Sequence, residues 1–261
     1  MEKNREFICA VTRENFFKSI GVGGDGISEY DGDKFFCYSD VGPAGILREF
    51  NGDTIKAIYN NIVFKPRNLL EDDNRFLQIV PYNVFFCGVH GDKGLINRDD
   101  LIFVCTRGNR VGEQRLSGKC SIGIGGHVEI CDLDGHLSDG IHVPGAGIAD
   151  YGARKFLSLL KANMVREIRE ETSLTPQYYR LVETPGWIFD WSNDVGNVHL
   201  GMLNFIRVND VSRIFLSKEH KRGLFYDMGL LMDSLHKFNF ETWSEVTLSF
   251  LKKRLYMEGS Q

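Results

Sequence analysis

Two hydrophobic periods alternate along the 261 residues, and the points where one gives way to the other outline the elements. Residues 6–12 (EFICAVT) and 35–38 (FFCY) have the apolar, strand-favouring composition of sheet. Residues 80–89 and 101–106 are denser still in Val, Ile and Phe. The glycine- and aspartate-rich stretch 88–100 between them predicts a hairpin or two neighbouring strands. Residues 121–126 (SIGIGG) alternate Ile122 and Ile124 with small residues, a strand whose bare face another backbone or a ligand can approach. The period then lengthens. Phe156, Leu159, Leu160, Met164 and Ile168 form one stripe, so a helix is predicted over 150–172 with Asp150 as its cap. Strands are predicted over 179–183 and 199–208, a polar-tipped loop over 187–194, and closing helices over 224–235 and 241–251. Segment 48–63 fits sheet or a short helix, and residues 133–149, with four glycines and Pro144, predict a long loop.

Composition adds limits. Hydrophobic residues at 43% and charged residues at 25% exclude disorder as the dominant state. A net charge of −4 gives no general drive toward nucleic acid or an anionic membrane. The start does not read as a secretory signal, and no run of about 18 apolar residues suggests a membrane span. Six scattered cysteines without a CxxC pair predict reduced thiols and a cytoplasmic protein. GVGGDG at 21–26 lacks the Lys-Ser/Thr that would close a phosphate loop, so it reads as a glycine-rich turn. The charged stretch 71–75 is the boundary candidate, dividing an N-terminal extension (1–75), packed or not on the core, from a main domain (76–261).

The chemistry concentrates at the end of the long helix. Glu167, Glu170 and Glu171 are three and four residues apart, and rotation of about 100° per residue puts them on one side. Like charges at these spacings repel, and they meet the negative end of the helix dipole. Mg²⁺ or Mn²⁺ would compensate; so would Arg166 and Arg169 on an ordinary solvated face, on which Glu171 faces solvent.

Residues 166–174, REIREETSL, resemble the second half of the Nudix box, Gly-x5-Glu-x7-Arg-Glu-U-x-Glu-Glu-x-Gly-U, with U aliphatic. Arg166, Glu167, Ile168, Glu170, Glu171 and Leu174 match; Ser173 replaces the glycine. The first half fits in two ways. An ungapped count lands on Gly152, with Ser158 where glutamate is expected. The preferred placement starts at Gly126 in the GGHVE turn, puts Asp132 at the glutamate position, and inserts about 26 residues before the helix. More widely, the segments QIVPYNVFF, RGNRVGEQRLSGKCSIGIGGHVE, VGNVHLGM and ETWSEV resemble a subset of uncharacterised bacterial Nudix-like proteins over roughly 78–250.

The resemblance implies an α/β Nudix fold, a mixed sheet between helices. It also implies metal-dependent hydrolysis of a phosphoanhydride in a nucleoside diphosphate linked to another group. The alternative is a sensor domain that binds a nucleotide-derived ligand without cleaving it. Glu167, Glu170 and Glu171 are then the metal ligands and Arg166 the partner of a catalytic carboxylate; Glu129 and Asp132 are weaker candidates for outer contacts. Gly125 and Gly126 approach the site, and His127 either orients the loop or transfers protons; His199 reads as structural. Arg107, Arg110, Arg115 and Lys119 could line a diphosphate pocket, or form a basic surface. Glu219, Asp227 and Glu245 are candidate bases. Trp187, Phe189 and Trp191 could stack a nucleobase, or pack the core. The expected partner is a small nucleotide or other diphosphate compound, with nucleic acid disfavoured and a homodimer compatible.

Overall fold

The computed structural model describes residues 6–19, 35–39, 42–47, 52–88, 96–108, 118–134 and 151–257. The glycine turn at 21–26, Asp150, Arg110, Arg115 and nearly all of the 133–149 loop lie outside these residues.

The first third of the chain contributes β1 (Phe7–Thr12), α1 (Arg13–Ser19), β2 (Phe35–Ser39), β3 (Gly42–Leu47), α2 (Gly52–Tyr59) and β4 (Ile62–Pro66). Next come β5 (Phe76–Cys87), β6 (Leu101–Arg107), β7 (Cys120–Ser121), β8 (Gly123–Ile124) and α3 (Tyr151–Thr172). The chain closes with β9 (Tyr179–Asp190), β10 (His199–Val208), β11 (His220–Asp227), α4 (Met228–Asp233) and α5 (Thr242–Lys252). These strands form one mixed sheet in the order β11-β6-β5-β10-β9-β3-β2, with β1 and β4 continuing from β5. β5 and β10 run parallel, and the other pairings are antiparallel. No described helix is long and apolar enough to cross a membrane.

One face of the sheet carries α3, whose Phe156, Leu159 and Leu160 pack with Phe16 and Phe17 of α1, Ile55 of α2 and Leu77 of β5. The other face carries α4 and α5 over Val84, Phe86, Leu203 and Phe205. Because β5 is covered on both sides, ten consecutive residues of it are buried, and hydrophobic alternation is lost. The same effect extends β9. Trp187–Asp190, expected in a loop, are buried strand residues, paired with β10 on one side and β3 on the other. The helix expected over 224–235 is likewise corrected. Residues up to Asp227 pair with β6, and the Asp227 carboxylate accepts from Leu230 N at 2.8 Å, starting α4 only at Met228.

β5 and β6 pair only near Phe86 and Cys87, then splay apart, and the β7–β8 segment enters the fork, β7 on β6 and β8 on β5. On β5 the last partner of β1 is Gln78 and the first partner of β8 is Asn83. Pro81, which has no N–H to donate, falls in that gap. The Gly125 turn crosses there, and a Cβ on Gly125 would lie 1.9 Å from Pro81 O.

α3 ends on Ser173 with φ +59°, the left-handed conformation that favours glycine. Ser173→Gly should therefore raise stability by about 0.5–1 kcal/mol, since relief of strain outweighs the added freedom of the unfolded chain. Thermal melting should show a rise of about 1–4 °C. An unchanged or lower Tm would mean that the Ser173 hydroxyl bond to Phe215 O, 3.3 Å, matters more than the strain.

Candidate active site

The last two turns of α3 do not present three equivalent acids. Glu167 and Glu171, one turn apart, are 7% and 6% exposed, whereas the Glu170 side chain is 59% exposed. Glu171 thus does not face open solvent as the sequence suggested. All three line a cavity of about 760 Å³ that also includes Gly125, Gly126 and His127.

Arg166 ties the helix to the glycine loop. Its Nε and Nη2 donate to the two oxygens of Asp132 at 2.8 and 3.1 Å, its Nη1 donates to Glu167 at 2.8 Å and Glu170 at 3.2 Å, and Nη2 also reaches His127 O at 3.1 Å. Asn163 adds bonds to His127 O at 2.7 Å and Asp132 at 3.1 Å. Glu129 stands farther off, 3.6 Å from the guanidinium. Burial works to lower the Arg166 pKa, but Asp132 and Glu167 outweigh it and push it up. This geometry favours the Gly126 placement of the half-box. Gly126 abuts the Glu167 carboxylate so closely that a Cβ would meet it at 2.5 Å, while Gly152 lies within α3.

Burial pushes the Glu167 carboxyl up to about 8; Arg166 opposes the rise, while Glu171 and Glu170 add to it. Glu171 has a different partner. His220, its side chain fully buried on β11, lies with Nε2 2.8 Å from Glu171 Oε2. Nothing in the sequence marks this contact, because the two residues are 49 apart and His220 sits in a polar stretch just before residues that read as helix. Among the described residues, no three His, Cys, Asp or Glu side chains already stand as a metal shell. Arg166 and His220 occupy the carboxylates instead.

His127 and His199, 72 residues apart, meet Nε2 to Nε2 at 2.9 Å, and His199 Nδ1 donates to Val195 O at 2.6 Å. Both rings line the cavity. Of the four basic residues expected at a diphosphate pocket, Arg107 and Lys119 line it and Arg110 and Arg115 lie outside the described residues; Arg67 and Arg166 line it as well. Arg107 Nε donates to Glu241 at 3.3 Å; burial would lower its pKa, yet Glu241 and Glu171 hold it above the usual arginine value. Glu241 is buried and also accepts from Tyr82 OH at 3.0 Å and Ser121 Oγ at 2.5 Å. Trp187 and Phe189 are core residues, and Trp191 packs 5.1 Å from Phe17 and 4.9 Å from Phe189. The tryptophan on the cavity wall is one that received no role, Trp243.

No protein-family model matches the chain. Protein YmaB of Bacillus subtilis is 28% identical over 254 residues, covering 97% of this chain and 100% of its own. The crystal structure of Tm1382, a candidate Nudix hydrolase, is 20% identical and covers 96% of this chain and 100% of its own, with a TM-score of 0.58. The fold is the Nudix fold. A NUDIX hydrolase from Alicyclobacillus acidocaldarius is 13% identical over 66% of this chain and 90% of its own, with a TM-score of 0.41. Within the Nudix fold, the 166–174 segment ends α3, with Gly126 against Glu167 and β7–β8 filling the fork beside it.

Proposed function

We propose that the chain hydrolyses a phosphoanhydride in a nucleoside diphosphate linked to another group, with Mg²⁺ or Mn²⁺ as cofactor. The observation that carries this reading is the contact of Gly126 with Glu167 at the cavity wall, where Glu171 and Glu170 also converge. The residues fit a hard cation. Their donors are all carboxylate oxygens, and the charged form of Glu167 is disfavoured chiefly by burial, with Glu171 and Glu170 adding to it against Arg166, which a cation would reverse. Glu167, Glu170 and Glu171 would hold it. When bound, such an ion acidifies water and offsets negative charge on phosphoryl oxygens.

The protein's own groups do the rest. Arg166 keeps Asp132 and Glu167 in place through its bidentate fork. Arg107 and Lys119 face the cavity as cations for the substrate's phosphates, and His127 orients the glycine loop through His199. Among the three candidate bases, Asp227 is committed to the α4 cap, and Glu245 is not on the cavity wall. Glu219 is on that wall, and its carboxyl is raised by burial and by the charge of Glu171. It therefore accepts the proton of the attacking water.

The test is a panel of nucleoside triphosphates, nucleotide sugars, dinucleoside polyphosphates and dinucleotide cofactors with either ion. At least one should be cleaved, with a phosphomonoester among the products. Ligand binding without turnover across the panel would place the protein with the non-catalytic sensors instead.

A further inference from the structure

The cavity has a second half, built by β5, β10 and the start of α5. Trp243 lies on its wall and remains partly exposed. Its ring is held rather than loose. Tyr82 meets it edge to face, with centroids 5.4 Å apart and planes at 88°. Gly201 of β10 lies under its edge, where a Cβ would be 2.9 Å from Trp243 Cζ3. Val80, in register with Gly201, also lines the cavity. The indole therefore stands as a fixed apolar wall.

The same Tyr82 connects this ring to a cation. Its hydroxyl donates to Glu241 Oε1 at 3.0 Å, and Glu241 Oε2 accepts from Arg107 Nε at 3.3 Å. Ser121 Oγ and Ser244 Oγ lie 3.2 and 2.8 Å from that hydroxyl, which leaves it committed within the protein. Indole and guanidinium are thus positioned by one buried network. A phosphate next to a planar ring is the ligand shape that such a pair accommodates.

We propose that Trp243 is the stacking platform for the base of a nucleotide substrate, whose phosphates lie toward Arg107. The proposal rests on the hydrolase reading above and specifies which half of the substrate is recognised, and by which residue. A planar heteroaromatic ring fits better than a sugar. Its π-face can stack on the indole, a contact that a sugar ring lacks. Stacking tolerates any base, so selectivity among bases would come from elsewhere in the cavity.

The test is equilibrium binding of ADP, GDP, UDP, ribose 5-phosphate and inorganic pyrophosphate to the full chain, by calorimetry and tryptophan fluorescence. At least one nucleoside diphosphate should bind more tightly than pyrophosphate and quench the fluorescence. Trp243→Ala should weaken that nucleotide by about 5- to 150-fold and abolish the quenching, while pyrophosphate affinity changes less than about twofold. Trp243→Phe, which keeps a flat ring and the packing on Gly201, should recover most of the affinity. The proposal is overturned if no nucleotide outbinds pyrophosphate, if pyrophosphate weakens as much as the nucleotide, or if ribose 5-phosphate weakens as much. Hydrolysis of a panel substrate with parental KM in Trp243→Ala would also overturn it while leaving the hydrolase reading intact.

Discussion

Glu171→Gln is expected to lower turnover by about 100- to 1000-fold while the protein stays folded. The substitution keeps the volume and one oxygen that His220 Nε2 can still reach, so the 2.8 Å contact has a replacement. What it removes is a negative charge on the cavity wall, next to Glu167 and the half-buried Arg107. Since a cation held there would lose a charged ligand, affinity for Mn²⁺ should fall together with kcat, and calorimetric titration reads the two separately from folding. The Tm should move little or rise, because a carboxylate only 6% exposed carries a desolvation cost that the amide lacks. If Glu171→Gln were as active as the parent and bound Mn²⁺ equally, the acids of α3 would be no more than a charged surface.

In the metal-free protein, stability should fall as pH rises from about 4.5 to about 8, and Glu167 should account for much of the fall. Its carboxyl is raised in the folded state from an ordinary value of 4.5 to about 8, chiefly by burial. Between those values the folded protein holds a proton that the unfolded chain has released, so each step up in pH favours unfolding. The limiting slope for one such group is about 1.4 kcal/mol per pH unit. Glu167→Gln should flatten the melting-versus-pH curve over this window, and the difference between the two curves isolates Glu167 from Glu129 and Glu219, which burial also raises. Added Mg²⁺ should raise the parent's Tm more at pH 8 than at pH 5 and have little effect on the variant. Parallel curves for parent and variant would show that Arg166, 2.8 Å away, already offsets the Glu167 charge.

What the sequence determined by itself lies within single elements. A 3.6-residue stripe predicts α3 and a strand composition predicts β1 and β10, because both signals arise from one segment turning one face toward a core. The box residues on α3 are legible for the same reason: their spacing on one helix decides which of them can act together. Even there, repeat spacing left Glu170 and Glu171 equal, and only packing against β11 buries one and leaves the other exposed. Trp187–Asp190 read as loop in the sequence because central strands bury both faces, which erases the alternation that marks a strand. The cap at Asp227 misled in the opposite direction, since the apolar residues before it belong to a strand and those after it to a helix. Tertiary structure alone decided the contacts that complete the candidate site. His220 reaches Glu171, His127 meets His199, and Tyr82 joins Glu241 to Trp243 across separations of 49, 72 and 159 residues. Such pairs leave no periodic trace, because the order and register of the strands, rather than any local preference of the chain, bring the two side chains together.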